Sequence, residues 1–337
     1  MILKSGKVPA KILEEIVFKH LGVKSKDIVL GPRKGEDSAV VKVGRSFITV
    51  SCDPISGAVK KAGWLALNIC CNDVAAMGVQ PKWFLSCLMF PEKTSKKTIK
   101  EFCRQLDYAA HRIGVSIIGG HCEITPSLAS PLIVGFAMGV AKNGKYIASS
   151  GAKPRDKIVL TKTVGIEGTA ILASDRGKVL AEAFGWRFVR EAEKYLGRVS
   201  IVREALTASK VDGVTAMHDP TEGGIVGGLW EIAEASNVGF KVYTENIPIS
   251  QHTKKICEFF KVNPFKLISS GCLLLTVKPS SLNKLLERLR KAGVKASVIG
   301  EVLKDKNVRV FVDKDGREKK VYPPAQDELW VALERKV

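Results

Sequence analysis

The chain has 337 residues, of which 45% are hydrophobic and 26% are charged, and its formal net charge is +19 at pH 7. A chain of this length and composition buries a sizeable core and is more typical of two domains than of one. The composition favours a globular protein, and the positive charge makes an anionic substrate or a nucleic acid the first partners to consider.

The arrangement of the basic residues argues against a nucleic acid. They are spread over several predicted helix faces and a C-terminal hairpin near residues 314–320, with acidic residues between them. No motif combines basic and aromatic residues in the way that RNA-binding sheets do. A nucleic-acid ligand therefore rests on net charge alone, and we expect another kind of partner.

The N-terminal sequence predicts neither a secretory signal nor a membrane span. Residues 1–10 include lysines, and residues 11–21 are amphipathic rather than continuously apolar. The longest apolar stretch, 57–78, contains two lysines and Asp73, each costing about 3 kcal/mol at the centre of a bilayer. The eight cysteines form no Cys-x-x-Cys pair, which is typical of reduced thiols. We therefore expect a soluble, cytoplasmic protein.

Short apolar runs and amphipathic segments alternate along the first half of the chain. The runs predict strands at residues 39–43, 47–52, 84–90, 116–118 and 132–140, with helices within 57–77 and 95–113. The segment 142–156 is rich in Gly, Ser, Lys and Pro and is the best candidate for a linker. We therefore expect a first domain over residues 1–150.

The second half repeats this alternation and predicts a second domain over residues 151–337. Helices are expected at residues 167–173, 179–195, 201–208, 225–236, 251–260 and 282–292. Strands are expected at residues 157–161, 239–242, 272–277, 297–302 and 308–312. Both halves together indicate an α/β (α+β) protein of two domains.

Three acidic segments follow or interrupt apolar elements in the first half. They are residues 35–39 (GEDSA), 51–54 (SCDP) and 72–78 (NDVAAMG). Carboxylates gathered from separate elements repel one another unless a cation lies between them. A few carboxylates together with phosphate oxygens are the ligands that Mg²⁺ prefers, so the segments predict a site for Mg²⁺ and a nucleotide polyphosphate.

Each of these acids also has an ordinary structural explanation. Asp37 could be a turn residue, Asp53 a loop acid before a proline, and Asp73 a solvated charge on a helix. Their joint occurrence favours the metal site.

A phosphate site in this chain cannot be a Walker A loop or a dinucleotide fingerprint, because neither glycine pattern occurs. Two glycine pairs remain. Gly119 and Gly120 follow a predicted strand, and Gly223 and Gly224 precede an amphipathic helix. Glycine lets backbone N–H groups approach an anion closely, and a helix N-terminus adds an attractive partial charge.

Four segments, taken in order, resemble the aminoimidazole ribonucleotide (AIR) synthetase superfamily of ATP-dependent enzymes, and among them most of all the hydrogenase expression/formation proteins. The segments are 35–40 (GEDSAV), 72–81 (NDVAAMGVQP), 119–121 (GGH) and 218–224 (HDPTEGG), the last followed by 231–236 (EIAEAS). The resemblance implies a two-domain PurM-like fold. An N-terminal half-barrel would pair with that of a second subunit, and a C-terminal α/β sandwich domain would close over ATP.

The resemblance also assigns roles to individual residues. Asp37, Asp53 and Asp73 would bind Mg²⁺. The nucleotide would be bound by Gly35, Asn72, Gly119, Gly120, Asp219, Thr221, Gly223 and Gly224. Asp219 and Thr221 could instead only cap the helix that is predicted to begin near Gly223.

Three features depart from the pattern of these relatives. His121 stands where they usually carry an acid, and with Glu123 it becomes a candidate for catalysis, although a structural histidine fits equally well. Glu222 stands where the hydrogenase-maturation proteins typically have arginine. The last cysteine is Cys272, so residues 327–337 offer no thiol, and we do not expect a carbamoyl group to be carried on this C-terminus.

From these observations we predict a homodimeric enzyme that uses Mg²⁺ and ATP to phosphorylate an oxygen of an acceptor. The acceptor, a small molecule or a protein, is not identified by the sequence. The alternatives are a factor similar to the hydrogenase-maturation proteins and a non-catalytic nucleotide-binding scaffold.

Overall fold

The computed structural model describes residues 5–56 and 59–335, and two β-sheets form the frame of the protein. The N-terminal sheet has the strand order β1-β2-β3-β6-β4-β5 and is antiparallel except between β4 and β5. Its strands are β1 Ile28–Leu30, β2 Ala39–Val43, β3 Ser46–Ile55, β4 Pro81–Phe90, β5 Ser116–Ile124 and β6 Leu132–Ala141. The parallel pair arises because a helix crosses from the end of β4 to the start of β5.

Three helices belong to this half: α1 Ala10–Glu15, α2 Ala62–Ala76 and α3 Lys96–Ile113. The α2 sequence is apolar on nearly all sides, and α2 is accordingly buried between the N-terminal sheet and the C-terminal half. The helix α3 is amphipathic. It begins at Ser95, whose hydroxyl accepts the N–H of Thr98, and ends at Gly114 in the left-handed conformation.

The C-terminal sheet has seven strands in the order β13-β12-β9-β11-β7-β10-β8 and is parallel only between β9 and β12. Its strands are β7 Lys157–Thr161, β8 Val214–His218, β9 Gly239–Tyr243, β10 Leu274–Val277, β11 Ala296–Leu303, β12 Arg309–Val312 and β13 Glu318–Lys320. The helices are α4 Ile166–Asp175, α5 Gly177–Phe184, α6 Trp186–Glu193, α7 Val202–Ala208, α8 Gly224–Ser236, α9 Gln251–Phe260, α10 Leu282–Lys291 and α11 Glu328–Glu334.

One apolar core continues from the N-terminal half into the C-terminal half. Val74 and Met77 of the first half belong to the same buried cluster as Ile201, Met217 and Leu273 of the second. The helix α2 also contacts α7 directly. The end of α2, which carries Asp73, is therefore fixed against both halves of the protein.

The predicted mixed α/β architecture is confirmed, and two local predictions need correction. The strand expected at 116–118 runs on to Ile124, so Gly119 and Gly120 lie inside β5 rather than in a loop after it. The helix expected at 179–195 is divided into α5 and α6 at Gly185, whose φ of +81° favours glycine. Residues 57 and 58 of the predicted first helix lie outside the described residues.

One face of the N-terminal sheet is apolar but only partly buried. Along β4 and β6 the residues alternate between buried side chains, which pack on α2 and α3, and half-buried ones on the other face. Phe136 on this second face is exposed, and every residue of the edge strand β5 is exposed, including Ile117 and Ile118. An apolar sheet face of this kind is usually covered by another element or another subunit.

Among the described residues, no helix is both long and apolar enough to span a lipid bilayer. This agrees with the polar interruptions noted in the longest apolar stretch of the sequence.

Candidate functional site

A cavity of about 1120 Å³ opens between the two halves of the chain. The loop before β2, the strand β3, the end of α2 and the loop between β8 and α8 all contribute to its walls. The N-terminal segment around Lys7 and the residues before α11 close its sides. The cavity is large enough for a nucleotide, since ligand sites are typically about 300–1,000 Å³.

Four of the aspartates that line this cavity form a group, and each of the four comes from a different element. Asp37 lies before β2, Asp53 on β3, Asp73 in α2 and Asp219 after β8. Asp73 and Asp219 are only 6% and 1% exposed. The three acids that the sequence predicted as metal ligands therefore do line one cavity, and a fourth carboxylate from the C-terminal half joins them.

The four aspartates, hereafter the carboxylate cluster, are close enough to influence one another. Burial raises the pKa of Asp73 well above its ordinary value, and the charges of Asp53, Asp219 and Asp37 raise it further. Burial, followed by the charge of Asp37, likewise raises the pKa of Asp219. The four carboxylates therefore repel one another, as expected of acids gathered around a cation site.

The donor set fits a magnesium ion. Both side-chain oxygens of Asp219 are buried without a hydrogen-bond partner, a costly state that a cation would relieve. Oxygen ligands from carboxylates are those that Mg²⁺ selects. In the part of the chain that the structure describes, no three His, Cys, Asp or Glu side chains are already arranged around one metal position. The cluster would therefore reorient its carboxylates on binding.

His218 joins the two halves of the protein at the edge of the cluster. Its Nδ1 lies 2.5 Å from Oδ1 of Asp37, and its Nε2 lies 2.8 Å from Oε2 of Glu231 on α8. Burial alone would lower the pKa of His218, but the two carboxylates together raise it well above its ordinary value. The ring is thus a buried imidazolium that donates to both acids.

The glycine-rich loop before β2 is fitted closely against α8. A Cβ on Gly35 would lie 2.4 Å from the backbone oxygen of Glu231, and Gly35 has a φ of +74°. The next residue, Glu36, joins this loop to the segment that connects the two halves of the chain. Its carboxylate accepts the backbone N–H groups of Ser149 and Ser150 at 3.0 and 3.2 Å. The predicted linker is therefore packed against the site.

The start of α8 also faces the cavity. Thr221 and Gly223 line it, and Gly223 has the left-handed conformation with its N–H donated to Asp327 at 2.6 Å. No side chain caps this helix, so the expectation that Asp219 or Thr221 acts as a helix cap is wrong. Gly224 is needed for packing, because a Cβ there would lie 2.6 Å from the backbone oxygen of Leu267.

Several residues that the sequence predicted for the site do not line the cavity. Asn72 is fully buried, with its amide donating to the oxygen of Val199 and accepting the N–H of Ile201, so the amide has no free group for a nucleotide. Gly119, Gly120, His121 and Glu123 are on the exposed edge strand β5 and do not line the cavity. His121 and Glu123 pair with each other at 3.2 Å, and their side chains are 65% and 45% exposed.

The packing of β5 against β4 explains why residue 120 is glycine. A Cβ at this position would lie 2.1 Å from the backbone oxygen of Ser86 on β4, so the two strands approach too closely for any side chain. Whether Gly120 also contacts a nucleotide stays a prediction.

Sequence reasoning missed several charged residues of the cavity, among them Lys7 and Glu231, and it did not place Asp219 with the predicted metal ligands. Glu231 stood within a recognised segment, but its pairing with His218 depends on how α8 packs. Lys7 lies in an N-terminal stretch that no periodicity or motif distinguishes.

A further buried carboxylate beside the cavity permits a test of stability against pH. Burial raises the pKa of Glu167 on α4 to about 7, and its Oε2 lacks a hydrogen-bond partner. Because the folded protein holds this proton more tightly than the unfolded chain, stability falls as pH rises from about 4.5 to 7. We expect Glu167→Gln to increase the free energy of unfolding by up to about 3 kcal/mol at pH 8 and hardly at all at pH 4.5. Urea denaturation at both pH values measures this, and a pH-independent difference would contradict it.

Comparison with known proteins identifies both halves of the chain. The family model described as AIR synthase related protein, N-terminal domain, matches residues 35–141, and the corresponding C-terminal domain model matches residues 153–313. A hydrogenase expression/formation protein of Methanocaldococcus jannaschii is 26% identical over 307 residues, which is 89% of each chain.

Solved structures share the fold at lower identity. The structure of a HypE–HypF complex matches with a TM-score of 0.74 and 22% identity, over 93% of this chain and 99% of that one. A hydrogenase maturation protein HypE in complex with ATP matches with a TM-score of 0.69 and 18% identity, over 97% and 98%. The two-domain PurM-like architecture expected from the resemblance is thereby confirmed.

Proposed function

Because the chain belongs to the family of AIR synthase related proteins, we propose that it is a Mg²⁺- and ATP-dependent enzyme that transfers a phosphoryl group to an oxygen of an acceptor. The observation that carries the proposal is the carboxylate cluster, in which four acids from both halves of the chain face one cavity. A complex of ATP with a protein of the same fold supports the choice of nucleotide.

The residues of the cavity would divide the work of phosphoryl transfer between them. Asp37, Asp53, Asp73 and Asp219 would hold Mg²⁺, which when bound neutralises charge on the phosphates. Backbone N–H groups of the loop at Gly35 would orient the phosphates, and the partial positive charge at the N-terminus of α8 would attract them. His218 would keep the carboxylate of Asp37 in place.

The acceptor would bind in the same cavity, which Thr221 and Gly223 of the C-terminal half also line. Release of ADP from Mg·ATP should rise in the presence of the correct acceptor and stay near background without it. Screening small oxygen nucleophiles and protein acceptors for stimulated ADP release tests the proposal. If the nucleotide binds and no acceptor stimulates turnover, the protein is a nucleotide-binding scaffold.

A role in hydrogenase formation, in which a carbamoyl group would be carried on the C-terminus, is the second candidate, because the M. jannaschii relative is described as a hydrogenase expression/formation protein. Chemistry on a carried carbamoyl group would need a thiol on a mobile tail that reaches the cavity. The tail residues 336 and 337 lie outside the described residues, and the sequence after Cys272 contains no thiol. We expect that incubation with carbamoyl phosphate, ATP and a carbamoyltransferase adds no mass to the C-terminal peptide. An adduct there would establish the maturation role instead.

We propose that the protein is a homodimer joined through the N-terminal sheet. The exposed edge strand β5 and the half-buried apolar face of β4 and β6 would be covered by a second copy. Ile118→Lys places a charge on this edge, where the side chain is 53% exposed. We expect wild type to sediment as a dimer and the variant as a folded 36.6 kDa monomer at micromolar concentration. A monomeric wild type would contradict the proposal.

A further inference from the structure

A short N-terminal segment, Gly6 and Lys7, is fixed at the mouth of the cavity. The backbone N–H of Lys7 donates to Oε2 of Glu222 at 2.6 Å. Gly6 has a φ of +115°, and a Cβ there would lie 2.8 Å from the same carboxylate oxygen. The positive φ, together with the short distance to Glu222, therefore favours glycine at residue 6.

This attachment places the ammonium group of Lys7 beside the carboxylate cluster. Its Nζ lies 3.6 Å from Oε1 of Glu231, and its side chain is 54% exposed within the cavity mouth. The charge of Glu231, followed by those of Asp53, Asp37 and Asp73, raises the pKa of Lys7. The lysine is thus charged, and it is close enough to the predicted metal ligands for their charges to act on it.

Lys11, Arg33 and Lys34 also line the cavity, and Lys34 is already committed to different partners. Lys34 forms ion pairs with Glu14 at 2.7 Å and with Glu234 at 3.7 Å. Lys11 pairs with Glu15 at 3.7 Å, and its side chain is 84% exposed. Lys7 likewise has one long ion pair, with Glu231, but the charges of the carboxylate cluster also act on it, so its ammonium can bind a further anion beside that cluster.

We infer that Lys7 is a phosphate-binding residue of the active site, held there by Glu222, and that it contacts the terminal phosphate of the bound nucleotide. The inference rests on the proposed function. Once Mg²⁺ neutralises the carboxylate cluster, the strongest anion within reach of Lys7 is the polyphosphate. It also gives a role to Glu222, whose carboxylate accepts the Lys7 N–H.

Calorimetry with a non-hydrolysable ATP analogue and with ADP, both with Mg²⁺, tests the contact. Lys7→Met should weaken binding of the analogue at least tenfold and binding of ADP less than twofold. Lys7→Arg should restore most of the difference, and Lys24→Met, which removes an exposed lysine outside the cavity, should bind both nucleotides like wild type. Equal losses for the two nucleotides, or no loss for either, would overturn the inference.

Glu222 offers a matched pair of variants. A glutamine can still accept the Lys7 N–H, whereas an alanine cannot. We therefore expect Glu222→Gln to keep the preference for the triphosphate and Glu222→Ala to reduce it as Lys7→Met does. If both variants retain wild-type binding of the analogue, Glu222 does not position Lys7. Failure of the wild-type protein to bind any nucleotide would instead refute the proposed function, so the two claims fail separately.

Discussion

Replacement of Asp73 by asparagine should weaken Mg·ATP binding by about 100-fold or more, on the order of 3 kcal/mol. Asp73 lies at the centre of the carboxylate cluster, and Asp53, Asp219 and Asp37 all act on it. An amide keeps the size of the side chain but removes one charge from the proposed metal ligands. Titration calorimetry with and without Mg²⁺ measures the loss.

The same substitution should stabilise the protein in the absence of metal. Burial and three like charges raise the pKa of Asp73, so the ionised side chain opposes folding at neutral pH. Neutral asparagine removes this repulsion, and we expect the free energy of unfolding in EDTA to rise by about 1–2 kcal/mol. Urea denaturation tests the sign.

Asp107→Asn is the matched control, because that aspartate is 70% exposed on α3 and lies away from the cavity. It should change neither nucleotide binding nor stability. Wild-type Mg·ATP affinity in Asp73→Asn would contradict the assignment of the metal site. Loss of stability in EDTA would show that the cluster is not repulsive.

Replacement of His218 by leucine should lower the free energy of unfolding by about 3–5 kcal/mol. The ring lies 2.5 Å from Asp37 and 2.8 Å from Glu231, and its side chain is only 4% exposed. Leucine fills much of the space but leaves the carboxylate of Asp37 buried without its partner. Urea denaturation at pH 7 measures the loss.

A double-mutant cycle separates this charge effect from packing. In His218→Leu with Asp37→Asn the unpaired charge is gone, so the double variant should be more stable than His218→Leu alone. A cost below about 1 kcal/mol for the single variant, or strict additivity in the cycle, would show that the imidazolium does not join the two halves.

The sequence contained enough information to predict the fold and half of the candidate site. Asp37, Asp53 and Asp73 could be predicted because each stands in a short segment where apolar elements end or are interrupted, and because the order of those segments resembles a known superfamily. The helix α8 was recognisable from the spacing of Ile225, Leu229 and Ile232, all of which are buried.

The rest depended on contacts between residues far apart in the chain. Asn72 stands next to Asp73, but a helix turns adjacent side chains about 100° apart, and Asn72 therefore faces Val199 and Ile201 instead of the cavity. Gly119 and Gly120 read as a loop because glycine is rare in strands, whereas the close approach of β4 requires glycine at 120.

The place of Lys7 in the cavity could not be predicted from the sequence either. Its position is set by one hydrogen bond to Glu222, which is 215 residues away in the chain. Hydrophobic periodicity carries no record of such a contact, and a lysine near a chain terminus reads as a solvated charge.

The most direct test of the account is a crystal structure of the protein with Mn²⁺ in place of Mg²⁺ and a non-hydrolysable ATP analogue. We predict an anomalous scattering peak among the carboxylates of Asp37, Asp53, Asp73 and Asp219, with the polyphosphate bound to the same metal. A nucleotide bound elsewhere, or a cavity in which those four carboxylates contact no metal, would contradict the proposed active site.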